Sequence, residues 1–299
     1  MLKLELFIFY REVSVKRADI AKNNSGSSKK ANVNYNKIIS VAEDIEKCHC
    51  FMVGYLRNDP GRWKKCKMNK NCVIIGVGPG NGASFARRFS NAGYKVAMLS
   101  RNQLFLSKLS SEIENSKAVP CDARDPESIS IAISRVHEEI GPVDVMIYNA
   151  GAGDWKSLEE TKPEEFESSW KTNTYGLLIA TQQVIATMKV RGQGSIVVIG
   201  ATASLRGGAQ TAGFASAKAA QRSLAQSMAR SLGPKGIHVS YVVIDGVINL
   251  ETSRATMVGR PDEFFLQPDA IAETVYNLTQ QQRSAWSFEI DLRPHIEKW

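Results

Sequence analysis

The stretch "CVIIGVGPGNGASFARRFSNA" (72–92) decides the fold of this chain. Its opening "CVIIGV" is a continuous apolar run, the pattern of a strand covered on both faces of a parallel sheet. Three glycines then fall in the spacing G-x-x-x-G-x-G, at Gly76, Gly80 and Gly82, and a helical pattern follows over 82–92. Glycine suits such a turn because it accepts positive φ and lets another group approach the backbone closely. A helix starting there directs its N–H groups and the positive end of its dipole at the turn. Gly80, Asn81 and Gly82 therefore form a seat for a phosphate-bearing ligand.

Outward from this stretch, strand and helix patterns alternate. Strands are expected at 95–100, 117–121, 143–148, 195–200, 238–243 and 287–292. Helices are expected at about 102–115, 126–140, 164–190 and 211–232. Such alternation specifies an α/β architecture, a single doubly wound Rossmann-type domain with about seven parallel strands and helices on both faces. Residues 68–299 account for it, and 246–265 reads as an aperiodic surface connection or lid.

Residues 1–67 differ in composition. They carry 14 Lys+Arg against 7 Asp+Glu, whereas the whole chain has 38 against 30 and a net charge of +8. The body is thus nearly neutral, which argues against nucleic-acid binding. "NNSGSSKKANVNYNK" (23–37) has linker composition, and Met68 stands just before the first strand. The extension is expected to be a poorly ordered basic segment, or an artefact of an upstream start. "MLKLELFIFY" (1–10) is too short and too charged to span a membrane. Five irregularly spaced cysteines imply no disulfide framework and favour a reducing, cytoplasmic setting. Cys48-His49-Cys50 has no second pair at ligand spacing, and His137, His238 and His295 are scattered, so no metal is expected.

The end of the second strand selects the ligand. A dinucleotide site that prefers NAD places an acid there for the ribose 2′-hydroxyl. This chain has Ser100-Arg101-Asn102 instead, and the Arg101 guanidinium can pair with a 2′-phosphate. NADP rather than NAD is the expected cofactor.

Five ordered motifs resemble the short-chain dehydrogenase/reductase family over about 70–292. They are the glycine turn; Asp122-Ala123 in "CDARD"; "NAG" (Asn149, Ala150, Gly151); Asn173 in "TNTYG"; and "FASAKAA", which ends on the family's lysine, Lys218. The resemblance implies an NADP-dependent oxidoreductase acting on a small carbonyl, alcohol or activated double bond. It implies Asp122 at the adenine, Asn149–Gly151 along the cofactor, Asn173 in the active site and Lys218 on the nicotinamide ribose. It also implies a homodimer or homotetramer built on the long helices, with no membrane partner. Asp245-Gly246 stands where the family usually has Pro-Gly, and the glycine still leaves room for the nicotinamide.

The departures from the family fall on the chemistry. Phe214 occupies the position of its proton-transferring tyrosine, and Ala201 that of its serine. The combination "GATASLRG" with "FASAK" resembles a divergent bacterial-type branch. Thr202 and Ser204 are the expected substitute donors, with Tyr175 and Asp154 as further candidates. Trp155 and Trp170 are candidates for lining a substrate cleft. The competing reading is a non-catalytic NADP-binding protein, sensing or structural, on the same fold.

Overall fold

The computed structural model describes residues 70–297. The extension 1–67, its linker stretch and Cys48-His49-Cys50 lie outside the described residues. Seven strands form one parallel sheet in the order β3-β2-β1-β4-β5-β6-β9. They are β1 (Asn71–Ile75), β2 (Lys95–Ser100), β3 (Ser116–Pro120), β4 (Val145–Tyr148), β5 (Gly194–Ile199), β6 (Ile237–Ile244) and β9 (Glu289–Leu292). Every pairing is parallel, from Asn71↔Lys95 at β1–β2 to Ile244↔Leu292 at β6–β9. The expected doubly wound α/β sheet is therefore present.

Its layers follow from side-chain alternation along buried strands. Val73 and Ile75 of β1 face one side, against Ile129 and Val136 of α3 (Pro126–Glu139), Leu177 and Val184 of α5 (Gly176–Arg191) and Met228 of α6 (Ala212–Leu232). Cys72 and Ile74 face the other side, against Phe85 and Phe89 of α1 (Asn81–Asn91), Leu106 of α2 (Gln103–Glu112) and Val275 of α8 (Pro268–Thr279). Phe89 anchors that second layer, with edge-to-face contacts to Tyr94 at 5.1 Å and Tyr276 at 5.5 Å.

Two departures from the sequence reading bear on function. The helix expected at 164–190 is not continuous. It begins as α4 (Pro163–Trp170), widens into a π turn over Lys171–Tyr175, and resumes as α5. Apolar periodicity is the same on either side of a one-residue bulge, so the sequence pattern does not register it. The connection 246–265 holds short elements instead of an open loop. These are β7 (Val247–Ile248) paired with β8 (Phe265–Leu266), and between them the short helix α7 (Glu251–Thr256). Both strands are only two residues long, below what alternation can signal.

The chain order reverses between β1 and β4, so the connections leaving their carboxyl ends diverge and open a crevice there. The glycine turn, "NAG", Ala201 and Asp245-Gly246 all stand at that edge of the sheet.

Candidate active site

The glycine turn is built for close approach. Gly76 has φ +91°, and a Cβ there would come 2.4 Å from the backbone nitrogen of Ala150. At Gly82 a Cβ would lie 2.6 Å from Val77 Cα, so the start of α1 sits directly on the strand end. Asn149 ties the two connections together. Its side-chain amide donates to the Gly76 carbonyl at 2.7 Å, and its backbone N–H donates to Ile75 at 2.8 Å. α1 has no side-chain cap and no acid in its first turn, which leaves its N-terminus electrically suited to an anion. Leu250, in the 246–265 connection, covers the turn: a Cβ on Gly80 would meet its Cδ2 at 2.4 Å.

At the end of β2, Arg101 is exposed and no acid accompanies it. Asn102 caps α2, its side-chain oxygen accepting from Phe105 N–H at 3.0 Å. Asp122 is held by Arg124 at 2.6 Å and lies within the field of Arg101. The Arg124 hydrogen bonds, outweighing some desolvation, keep its carboxyl below the usual carboxylate range. The neighbouring Cys121 thiol is pushed up to about 11 by burial.

Deeper in the crevice, Lys218 is only 5% exposed. Its Nζ donates to the Ile199 carbonyl at 2.9 Å and to Gln221 Oε1 at 3.1 Å. Burial alone pulls its pKa down to about 7, since no nearby charge offsets the desolvation of the ammonium. Asn173, on the π turn, donates through Nδ2 to the carbonyls of Ala152 and Ser169 at 2.6 and 2.8 Å. A Cβ on Gly151 would lie 3.5 Å from Asn173 Oδ1 and 3.6 Å from Lys218 Nζ, so both groups converge on the exposed Gly151 backbone. Phe214 stands one helical turn before Lys218, with Nζ 5.9 Å from its ring centre. The ring packs so closely on Gly153 that a Cβ there would come 2.5 Å from Phe214 Cδ2. Trp155 leans against it, ring centres 6.2 Å apart, and remains 74% exposed.

The hydroxyls expected to stand in for the tyrosine differ in their surroundings. Thr202 donates to the Asp245 carboxylate and lies 3.3 Å from the Ile244 carbonyl, so its proton points to the end of β6. Asp245 is in turn paired with Arg293 at 3.2 Å. Ser204 is buried beside the Tyr241 phenol. The Tyr175 ring stacks on Trp170 at 5.5 Å and 17°, which also uses that tryptophan for packing. Asp154 is exposed. The Thr202 hydrogen is committed to a carboxylate, which makes it a poor donor to a ligand, whereas Ser204 Oγ is buried without a hydrogen-bond partner. Sequence reasoning missed Gln221, whose polar side chain within an apolar helix face was the available signal. Of the histidines, His238 packs on Trp286 and bonds the Ser287 carbonyl, and burial lowers its pKa. Among the described residues no cluster of His, Cys, Asp and Glu could hold a metal ion.

The crevice fits a dinucleotide on its own polar chemistry. Asn81 Oδ1, Ser100 Oγ and Asn173 Oδ1 are buried without a hydrogen-bond partner at three points along it. Buried polar atoms left without partners are costly, and a ligand rich in hydroxyl, amide and phosphate groups would satisfy them. Asp245-Gly246 closes the far side, where Gly246 has φ +147° and Pro294 leaves no space for a side chain.

Known proteins resemble this chain in sequence and fold. A family model described as short chain dehydrogenase matches residues 70–256. The 3-oxoacyl-[acyl-carrier-protein] reductase of Mus musculus is 28% identical over 188 residues, covering 62% of this chain and 79% of that protein. A short-chain dehydrogenase of Rhodopseudomonas palustris, solved by crystallography, is 34% identical with a TM-score of 0.66, covering 76% of this chain and 99% of its own. An alcohol dehydrogenase of the archaeon Thermococcus sibiricus, solved with 5-hydroxy-NADP, is 28% identical with a TM-score of 0.69 and covers 77% and 98%. Sheet order, glycine turn and family match converge on one conclusion: the chain belongs to the short-chain dehydrogenase/reductase family of NAD(P)-dependent oxidoreductases.

Proposed function

We propose that the chain is an NADP-dependent reductase of a small carbonyl compound or activated double bond, in which Lys218 itself gives the proton. The observation that carries this reading is the buried ammonium. Two of its hydrogens are held by Ile199 and Gln221, and it faces the Gly151 backbone, where no side chain intervenes. Phe214 keeps an aromatic wall at the tyrosine position and contributes no proton.

Bound NADPH supplies the hydride. For a carbonyl substrate, an N–H bond of Lys218 breaks, its electron pair stays on nitrogen, and the proton goes to the substrate oxygen. The neutral amine then regains a proton from solvent. Asn173 Oδ1 can accept from a donor placed above Gly151, and the uncapped N-terminus of α1 behind the glycine turn suits a diphosphate. Trp155 and Phe214 give the cleft an apolar wall suited to a substrate with an unsaturated or aromatic flank.

NADPH oxidation should be measured against a panel of carbonyls and enones from pH 6 to pH 9. Because the ammonium is the acid, turnover should fall by about tenfold per pH unit above the Lys218 pKa of about 7. A flat profile would remove Lys218 as donor, and a protein that binds NADPH yet reduces nothing would favour the binding-protein reading.

Arg101 and the absence of an acid at the end of β2 support NADP over NAD, as does the NADP derivative bound by the archaeal relative. Arg101→Ala should weaken NADPH binding on the order of tenfold or more and leave NADH nearly unaffected. Fluorescence titration with both cofactors checks this, and equal affinities in the unmodified protein would refute the assignment.

A further inference from the structure

The inner side of Lys218 meets a residue outside all the motifs above. Gln221 is fully buried and lies three positions along α6, on the same helix face. Its Oε1 accepts from Lys218 Nζ at 3.1 Å, and the Tyr241 hydroxyl approaches the same oxygen at 3.4 Å. Its Nε2 donates to the Asn173 carbonyl at 2.8 Å. This fixes the orientation of the amide, because a flipped side chain would set its NH₂ against an ammonium and its oxygen against a carbonyl.

The groups around Nζ can be named element by element. α6 supplies the Phe214 ring and Gln221, β5 the Ile199 carbonyl, the π turn Asn173, and the β4 connection Gly151. Behind Gln221, β6 supplies the Tyr241 phenol, which reaches Gln221 Oε1 and the Lys218 carbonyl and is pushed up to about 12 by burial, so it is uncharged near neutrality. Desolvation is the sole cause of the Lys218 shift, with no carboxylate or second cation contributing. An ammonium held only by neutral acceptors keeps its geometry without the opposite charge that would lock its proton in place.

We propose that Gln221 is the positioning residue of the proton donor: its neutral amide holds Lys218 against the Asn173 turn while leaving the lysine able to release its proton. This inference rests on the reading of Lys218 as donor for its role in turnover, but not for its effect on the lysine itself.

The test compares Gln221→Glu and Gln221→Met, both close to the original volume, in protein carrying ¹³Cε-labelled lysine. The Lys218 resonance is identified by its loss in Lys218→Met, and it is titrated without substrate or cofactor. Gln221→Glu should raise the Lys218 midpoint by on the order of 1–3 pH units, by placing a carboxylate at hydrogen-bond distance. Gln221→Met should lower it, by removing an acceptor for the ammonium. Opposite shifts support the proposal, since mere loosening of the core would move both variants the same way. Unchanged midpoints, or shifts in one direction, would overturn it. The descending limb of the turnover profile should move with the midpoints. If the midpoints separate and that limb stays put, Gln221 still tunes the lysine and Lys218 is not the donor.

Discussion

Lys218→Met should lower turnover by about 10²–10⁴-fold, the usual effect of losing a positioned acid. The same change should alter how stability depends on pH. A lysine whose folded pKa is about 7 binds fewer protons than its unfolded counterpart, near 10.4, throughout the interval between them. Stability of the unmodified protein should therefore rise with pH across that interval, as the penalty for burying the ammonium is relieved. Below about pH 7 both states are protonated and that penalty is present in full. Lys218→Met should remove this slope, because methionine fills the site without titrating. Thermal melts of both proteins at pH 6.5, 8 and 9.5 provide the measurement. Parallel pH dependences would show that Lys218 is charged in the folded protein at all three values, and the proposed donor would lose its physical basis.

Gly76→Ala should be the most damaging small substitution in the domain. The new methyl would stand 2.4 Å from Ala150 N and 2.5 Å from Ala150 Cα, both backbone atoms that no rotamer change can move. The residue would also have to hold φ +91°, which disfavours any side chain. Strain and overpacking together amount to roughly 3–5 kcal/mol, a large part of the stability of an ordinary domain. The melting temperature should fall by about 6–20 °C and NADPH binding should be lost. Gly78→Ala is the internal control. Nothing lies within 4 Å of its Cβ position and its φ is not in the left-handed region, so its melting temperature should match that of the unmodified protein. If the two variants melt alike, the packing of β1 against β4 at this turn is not as described.

The sheet was legible because a parallel strand must be apolar on both faces, and runs such as "CVIIGV" and "HVSYVV" announce this without reference to anything else in the chain. The glycine turn was legible for a similar local reason. The catalytic end was not, because its contacts join residues far apart in sequence. Thr202 meets Asp245, and Gln221 meets Asn173, only after β5, β6, α6 and the π turn have assembled. Thr202 and Ser204 are candidate donors by proximity to Ala201 along the chain. The direction of a hydroxyl hydrogen depends on the acceptor that the fold supplies, and for Thr202 that acceptor is a carboxylate on a neighbouring strand end. The π turn was invisible for a related reason, since its neighbours carry ordinary helix-forming residues.

The contact between Gly153 and Phe214 couples the choice of residue at the two positions. With 2.5 Å between a Cβ on the first and the ring of the second, a larger residue at 153 requires the aromatic at 214 to shift or to give way to a smaller side chain. Glycine at 153, by contrast, accommodates phenylalanine and tyrosine alike, because the two rings share every atom that touches it. An exchange between them changes one oxygen at the ring's far end and nothing in the packing beneath. The departure at 214 is therefore a change of chemistry made without a change of shape, and the route back is sterically open for as long as Gly153 is retained.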